Sequence, residues 1–168
     1  MKTTLTRRIF ITSGILAGTS LLLLPKSTKK AMTIEPFKII EAVQEVLFPK
    51  GLQAPAASEF GAINYLAVVS SDRSFVKNDL KLLKEGAKKL IEQEPHFLRM
   101  TPQEQDQALR HFTQSKLGQN WTSLLLYYTL EALLSDPIYG GNRDQKGWQW
   151  LHHHTGKPQP QKPFGVRL

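Results

Sequence analysis

The 168-residue chain contains no cysteine. That excludes disulfides, thiolate nucleophiles, iron-sulfur ligation through Cys and covalent haem attachment through a C-x-x-C-H motif. A strand-like alternation of apolar and polar residues is missing at any useful length, and no internal repeat is present. Acidic residues are outnumbered, 14 against 22 lysines and arginines, but the imbalance is local. Six of the 22 basic residues (Lys2, Arg7, Arg8, Lys26, Lys29 and Lys30) fall within the first 31 positions, leaving the body 16 basic against 14 acidic residues. A nucleic-acid reader concentrates positive charge on its working surface, so nucleic acid is not an expected partner. The apolar run Ile9 to Leu24 spans only 16 residues and is diluted by Thr12, Ser13, Gly14, Gly18, Thr19 and Ser20. A bilayer span needs roughly 20 apolar residues, so a comfortable transmembrane helix is not expected there.

What precedes that run is informative. Thr6-Arg7-Arg8-Ile9-Phe10 sets a twin arginine directly before an apolar stretch. The pattern, with Arg7, Arg8 and Phe10 as its candidate residues, resembles the address read by the twin-arginine translocase, which exports proteins already folded in the cytoplasm. It implies a periplasmic destination. Lys29 stands where a small residue would mark cleavage after Ala31, so both a cleaved signal and an inner-membrane anchor fit residues 1–31.

The remaining chain suits one domain. Phe37, Ile40, Val43 and Val46/Leu47 recur at helical spacing between Pro36 and Pro49. A short helix is expected from Phe60 to Val69, although its Val-Val end also suits a strand. Phe75, Leu80, Leu83, Ala87 and Leu90/Ile91 predict an amphipathic helix ending before Pro95. Thr101, Pro102 and Glu104 form a capping box for the next helix, with Ala108, Leu109 and Phe112 on its buried face. From Trp121 to Leu134 the chain is apolar almost all round, which predicts a helix at the centre of the fold or one covered by a partner. Glu41, Glu45 and Asp79 are placed on exposed helix faces. The fold class is therefore all-α: a small helical bundle over residues 32–134 followed by an irregular C-terminal arm over 135–168.

The arm opens with Asp136, Pro137, Tyr139, Gly140, Gly141, Asn142 and Asp144, then Gly147, Trp148 and Trp150. Pro137 discourages helix through Asp136, the paired glycines open backbone angles closed to other residues, and Asn142 and Asp144 can bond their own backbone. A defined loop is expected. The Asp-Pro-x-Tyr-Gly-Gly-Asn-x-Asp-x-x-Gly-Trp constellation resembles the C-terminal signature of the gluconate 2-dehydrogenase subunit 3 family, and the leader and Leu47-Phe48-Pro49 are similar too. That resemblance implies a non-catalytic small subunit without a cofactor of its own. It further implies a large FAD-binding partner of the glucose-methanol-choline type, a multihaem cytochrome c as a third subunit, and an assembly role for the small chain. The ten arm residues named above are then candidates for the partner interface. Tyr139, Trp148 and Trp150 fit equally well as packing for the chain's own domain.

A second reading makes the chain an independent exported protein that uses His152, His153 and His154 for metal binding or catalysis. Adjacent histidines on an extended chain point alternately, so only His152 and His154 would share a face, and a solvated cluster is the simpler reading. His96 and His111 are single and read as structural. Gly140-Gly141-Asn142 lacks the preceding strand and the following Lys-Ser/Thr of a phosphate cradle. The tail from Gly156 to Pro163 favours extended, polyproline-like conformations, and Phe164 is a candidate docking point.

Overall fold

A computed structural model describes residues 35–160 and 162–165, which belong to one compact unit. Arg7, Arg8 and Phe10 lie outside the described residues. The described residues are all-α, as the apolar periodicity predicts. Helices α1 (Pro36–Leu47), α2 (Ala57–Phe60), α3 (Ala62–Ser70), α4 (Lys77–Gln93), α5 (Pro102–Phe112), α6 (Lys116–Leu134) and α7 (Lys146–Trp150) are joined by loops and three single 3₁₀ turns. No described helix is long and apolar enough to cross a membrane.

Local chemistry sets the boundaries. Pro36 opens α1 where its missing N–H is not needed, and the helix buries Ile39, Ile40, Val43 and Gln44. The short apolar element expected from Phe60 to Val69 is helix, entered through the one-turn α2 and a left-handed Gly61. Glu59 reaches back to the Ala56 N–H at 2.8 Å, satisfying a donor that α2 leaves unpaired. The capping box of α5 is present in both directions. Glu104 N–H donates to Thr101 Oγ1 at 3.3 Å, and Thr101 N–H donates to Glu104 Oε2 at 2.7 Å. Helix α6 begins five residues before Trp121, because the Ser115 hydroxyl accepts from Gly118 N–H at 3.0 Å and caps it.

The core is organised around α6, which packs against α1, α2, α3 and α4. Trp121 is fully buried at its centre. The indole N–H donates to Leu83 O on α4 at 2.8 Å, and the ring meets Phe112 edge-on at 5.7 Å. Two carboxylates assigned to exposed faces instead hold specific contacts. Asp79 accepts from the Tyr128 hydroxyl at 2.8 Å, and Glu45 accepts from Ser58 N–H at 2.6 Å. Both partners lie more than ten residues away along the chain, beyond the reach of a helical-wheel argument.

Helix α4 can approach Trp121 only because residue 86 is glycine. A Cβ there would stand 2.1 Å from two atoms of the indole ring. In an exposed helix Gly→Ala would stabilise by about 1 kcal/mol. Here a ring fixed by a buried hydrogen bond cannot retreat, and overpacking of this kind costs about 1–3 kcal/mol or more. Gly86→Ala is therefore expected to lower the thermal midpoint by several degrees in a circular dichroism melt, and an unchanged or raised midpoint would disprove this packing account.

Candidate functional site

The C-terminal end of α6 determines how the arm folds. Any helix ends with four carbonyls lacking a partner inside the helix, and burial makes such orphans expensive. On α6 the arm answers them. Asn142 N–H donates to Ala132 O at 2.6 Å, and the Trp148 indole N–H donates to Leu134 O at 2.8 Å. The Asn142 side-chain amide adds a bond to Ser135 O at 2.9 Å. For this the arm must lie almost on the helix backbone. A Cβ at Gly147 would come within 1.8 Å of Leu133 O, and one at Gly141 within 2.5 Å of Ala132 O.

Asn142 joins the two halves of this clamp. It is fully buried, adopts φ 43°, and its Oδ1 accepts from Gly147 N–H at 2.8 Å. Asparagine is among the few non-glycine residues that enter the left-handed region readily. Upstream, Asp136 Oδ1 accepts from Ile138 N–H at 3.0 Å and initiates the turn Pro137–Tyr139. Downstream, Asp144 at φ 55° lends its carbonyl to the Gln149 side chain at 2.8 Å. The signature spacing thus encodes a buried helix cap.

This geometry divides the ten candidate interface residues. Gly141, Asn142, Gly147 and Trp148 are buried within the chain's own fold. Asp136, Pro137, Tyr139 and Gly140 are half-buried, while Asp144 and Trp150 are open to solvent. Phe164 docks internally: its N–H donates to Ile138 O at 2.9 Å and its ring lies 4.8 Å from that of Tyr139. The three consecutive histidines are exposed and do not form an extended run. His152 is left-handed, and the His153 ring meets Trp148 edge-on at 5.9 Å. Among the described residues no three His, Asp or Glu side chains gather in a way that could hold a metal ion.

What stays open is one face of α6. Leu126 (38 % exposed), Leu130 (40 %) and Leu134 (43 %) stand one turn apart, with Tyr127 (54 %) beside them. From Gln119 to Leu134 the helix carries a single charged side chain, Glu131. Beside this stripe runs a groove of about 430 Å³, lined by Tyr65, Phe75, Tyr127, Glu131, Tyr139 and Phe164 among others. Tyr65 and Tyr128 both have their phenol pKa raised, first by burial and then by hydrogen bonds to Glu131 and Asp79 respectively. The exposed Tyr127 phenol is raised chiefly by hydrogen bonding to Glu131. A larger cleft of about 730 Å³ lies between α1 and α5. There Arg110 is paired with Asp106 at 2.7 Å and Glu45 with Ser58 N–H, so the cleft shows no convergent reactive groups. The sequence allows a helix at the centre or one covered by a partner, but its uniform apolarity does not say which side of α6 is uncovered.

Among known families, the model described as gluconate 2-dehydrogenase subunit 3 matches residues 35–156. The matched span contains the whole helical body and the clamp. No curated protein and no solved structure matches the chain.

The clamp makes a direct prediction. Asn142→Ala removes two side-chain hydrogen bonds, leaves Ser135 O and Gly147 N–H without those partners, and forces alanine into a left-handed conformation. The expected loss is about 3 kcal/mol in urea denaturation. Trp150→Ala, at an exposed position, is expected to stay within about 0.5 kcal/mol of the parent. Equal midpoints for the two variants would show that the arm does not secure α6.

Proposed function

Because this chain belongs to the gluconate 2-dehydrogenase subunit 3 family, we propose that it is the non-catalytic small subunit of an exported, FAD-dependent dehydrogenase complex acting on CH–OH groups. In this reading FAD resides in a large subunit of the glucose-methanol-choline type, and a cytochrome c subunit takes the electrons onward. The small chain contributes the twin-arginine address and the surface on which the flavoprotein subunit assembles. It reaches the periplasm folded and in complex with its partner. A flavin inserted during cytoplasmic folding requires an exporter that accepts folded cargo, which is the property the leader resembles.

The observation that carries the reading is the uncovered stripe of α6. A helix that is apolar on nearly every side, yet exposes three leucines and a tyrosine along one edge, presents the kind of contiguous patch found at protein interfaces. Aromatic residues, here Tyr127 on α6 and the exposed Trp150 on α7, are enriched at such surfaces. The body's near balance of charge agrees with a protein partner rather than a polyanion.

Two experiments test this. Co-expressed with a candidate large flavoprotein subunit of the glucose-methanol-choline type, the chain is expected to co-purify with a flavin-containing subunit. Leu130→Asp is expected to reduce that recovery at least tenfold, equivalent to about 1.4 kcal/mol, without lowering the melting midpoint. Sugar-oxidising activity and bound flavin in the isolated small chain would overturn the non-catalytic assignment. For export, Arg7→Lys combined with Arg8→Lys is expected to retain both subunits in the cytoplasm, because the receptor distinguishes paired arginines from mere positive charge. A flavoprotein that still reaches the periplasm in the double variant would carry its own address.

A further inference from the structure

Glu131 is the one charged side chain on the open part of α6, and it stands half-buried on the wall of the 430 Å³ groove. The Tyr65 hydroxyl donates to its Oε2 at 3.0 Å, and Tyr127 also interacts with it. Both are neutral donors. The ion pairs among the described residues join Lys81 to Glu85, Lys88 and Lys89 to Glu92, and Arg110 to Asp106. None of these reaches Glu131, and among the described residues no lysine, arginine or histidine lines the groove. A carboxylate offers about four acceptor positions, so hydroxyl contacts leave it both charge and capacity for another donor.

Much of the rest of the wall is aromatic, with Val69 and Val76 as aliphatic members and Asp72, Ser74 and Ser135 as polar ones. Phe75, Tyr127, Tyr139 and Phe164 line the same groove as the carboxylate, with the Tyr139 and Phe164 rings 4.8 Å apart. Aromatic faces attract cations through their quadrupole, and apolar walls focus the field of a carboxylate such as Glu131. An arginine answers both features, because its planar guanidinium stacks on a ring while donating to a carboxylate through its fork of N–H groups. The groove also adjoins the stripe already assigned to docking, with Tyr127 belonging to both.

We propose that this groove receives an arginine side chain of the flavoprotein subunit, with Glu131 as its counter-ion and Tyr127 as its stacking face. The proposal rests on the assembly reading above and assigns the specificity of that contact to one position. Leucines on the stripe supply area, and the Glu131 groove supplies the charge that distinguishes the right partner and the right register.

The test uses the full chain and the separately purified flavoprotein subunit, with dissociation constants measured at low and high salt. Glu131→Gln keeps the shape and the Tyr65 contact but removes the charge. It is expected to weaken binding about tenfold at low salt and to flatten the salt dependence. Tyr127→Leu keeps apolar area but removes the ring, and is expected to weaken binding several-fold with an unchanged melt. A photo-crosslinking residue at position 127 is expected to capture an arginine-containing peptide of the flavoprotein. Parent-like binding by both variants would overturn the arginine pocket. So would a crosslink to residues 162–168 of the same chain or to a second copy. If the unaltered chain fails to bind the flavoprotein at all, the assembly reading itself falls, an outcome distinct from the failure of this pocket.

Discussion

The carbonyl end of α6 is the constraint on which the rest of the molecule depends. A 19-residue helix whose last turn buries Ala132 and Leu133 beneath the arm cannot rely on water alone for its terminal acceptors. Asn142 and Trp148 supply the missing donors. Their reach requires glycine at 141 and 147, where any side chain would collide with α6 carbonyls. The approach in turn needs the sharp reversal begun by Asp136 and Pro137. The signature is therefore one physical device distributed over thirteen positions. Altering one component leaves the others with unmet hydrogen bonds, so the residues act as a unit rather than as additive contacts.

Helix α6 answers two demands at once. Trp121, Leu125, Tyr128, Thr129, Ala132 and Leu133 face the core, while Leu126, Leu130 and Leu134 face outward. A monomer gains nothing from exposing the second set, which raises the risk of nonspecific association. A subunit gains a preformed surface. A helix clamped at its end and anchored at its middle by Trp121 loses little freedom when a partner covers it, and preorganisation of this kind raises affinity without adding contacts.

The parts of this design legible in sequence are those written in short-range chemistry. Pro36, the Thr101–Glu104 box and the apolar stripe of α4 each specify structure within a few residues, and the observed helices follow them. The uncertain Val68-Val69 segment resolves as helix because α3 packs along α6, a tertiary effect that overrides β-propensity. Ser115 shows a signal that was present but overlooked, a serine cap hidden behind polar residues ahead of Trp121. Asp79 and Glu45 could not be placed, since Tyr128 and Ser58 are neighbours only in space. The arm is the most instructive element. Its Pro, Gly, Asn and Asp residues announce a defined loop, but nothing in their spacing says whether Trp148 turns toward its own helix or toward another protein. Only the position of Leu134 O decides that.

In the proposed assembly, fold and docking are coupled through the groove. Its walls come from α3 (Tyr65), the loop before α4 (Phe75), α6 (Tyr127 and Glu131) and the arm (Tyr139 and Phe164). No single element carries the site, so its shape exists only when the arm is closed on α6. Tyr139 is held by the same turn that presents Asn142 to Ala132, and Phe164 is held by Ile138 within that turn. A disturbed clamp would therefore act on partner binding at a distance, by releasing two aromatic walls, while the leucine stripe on α6 kept its composition. Under the proposed docking, residues that never touch the partner would govern how well it is recognised, and the buried half of the signature would serve recognition as well as stability.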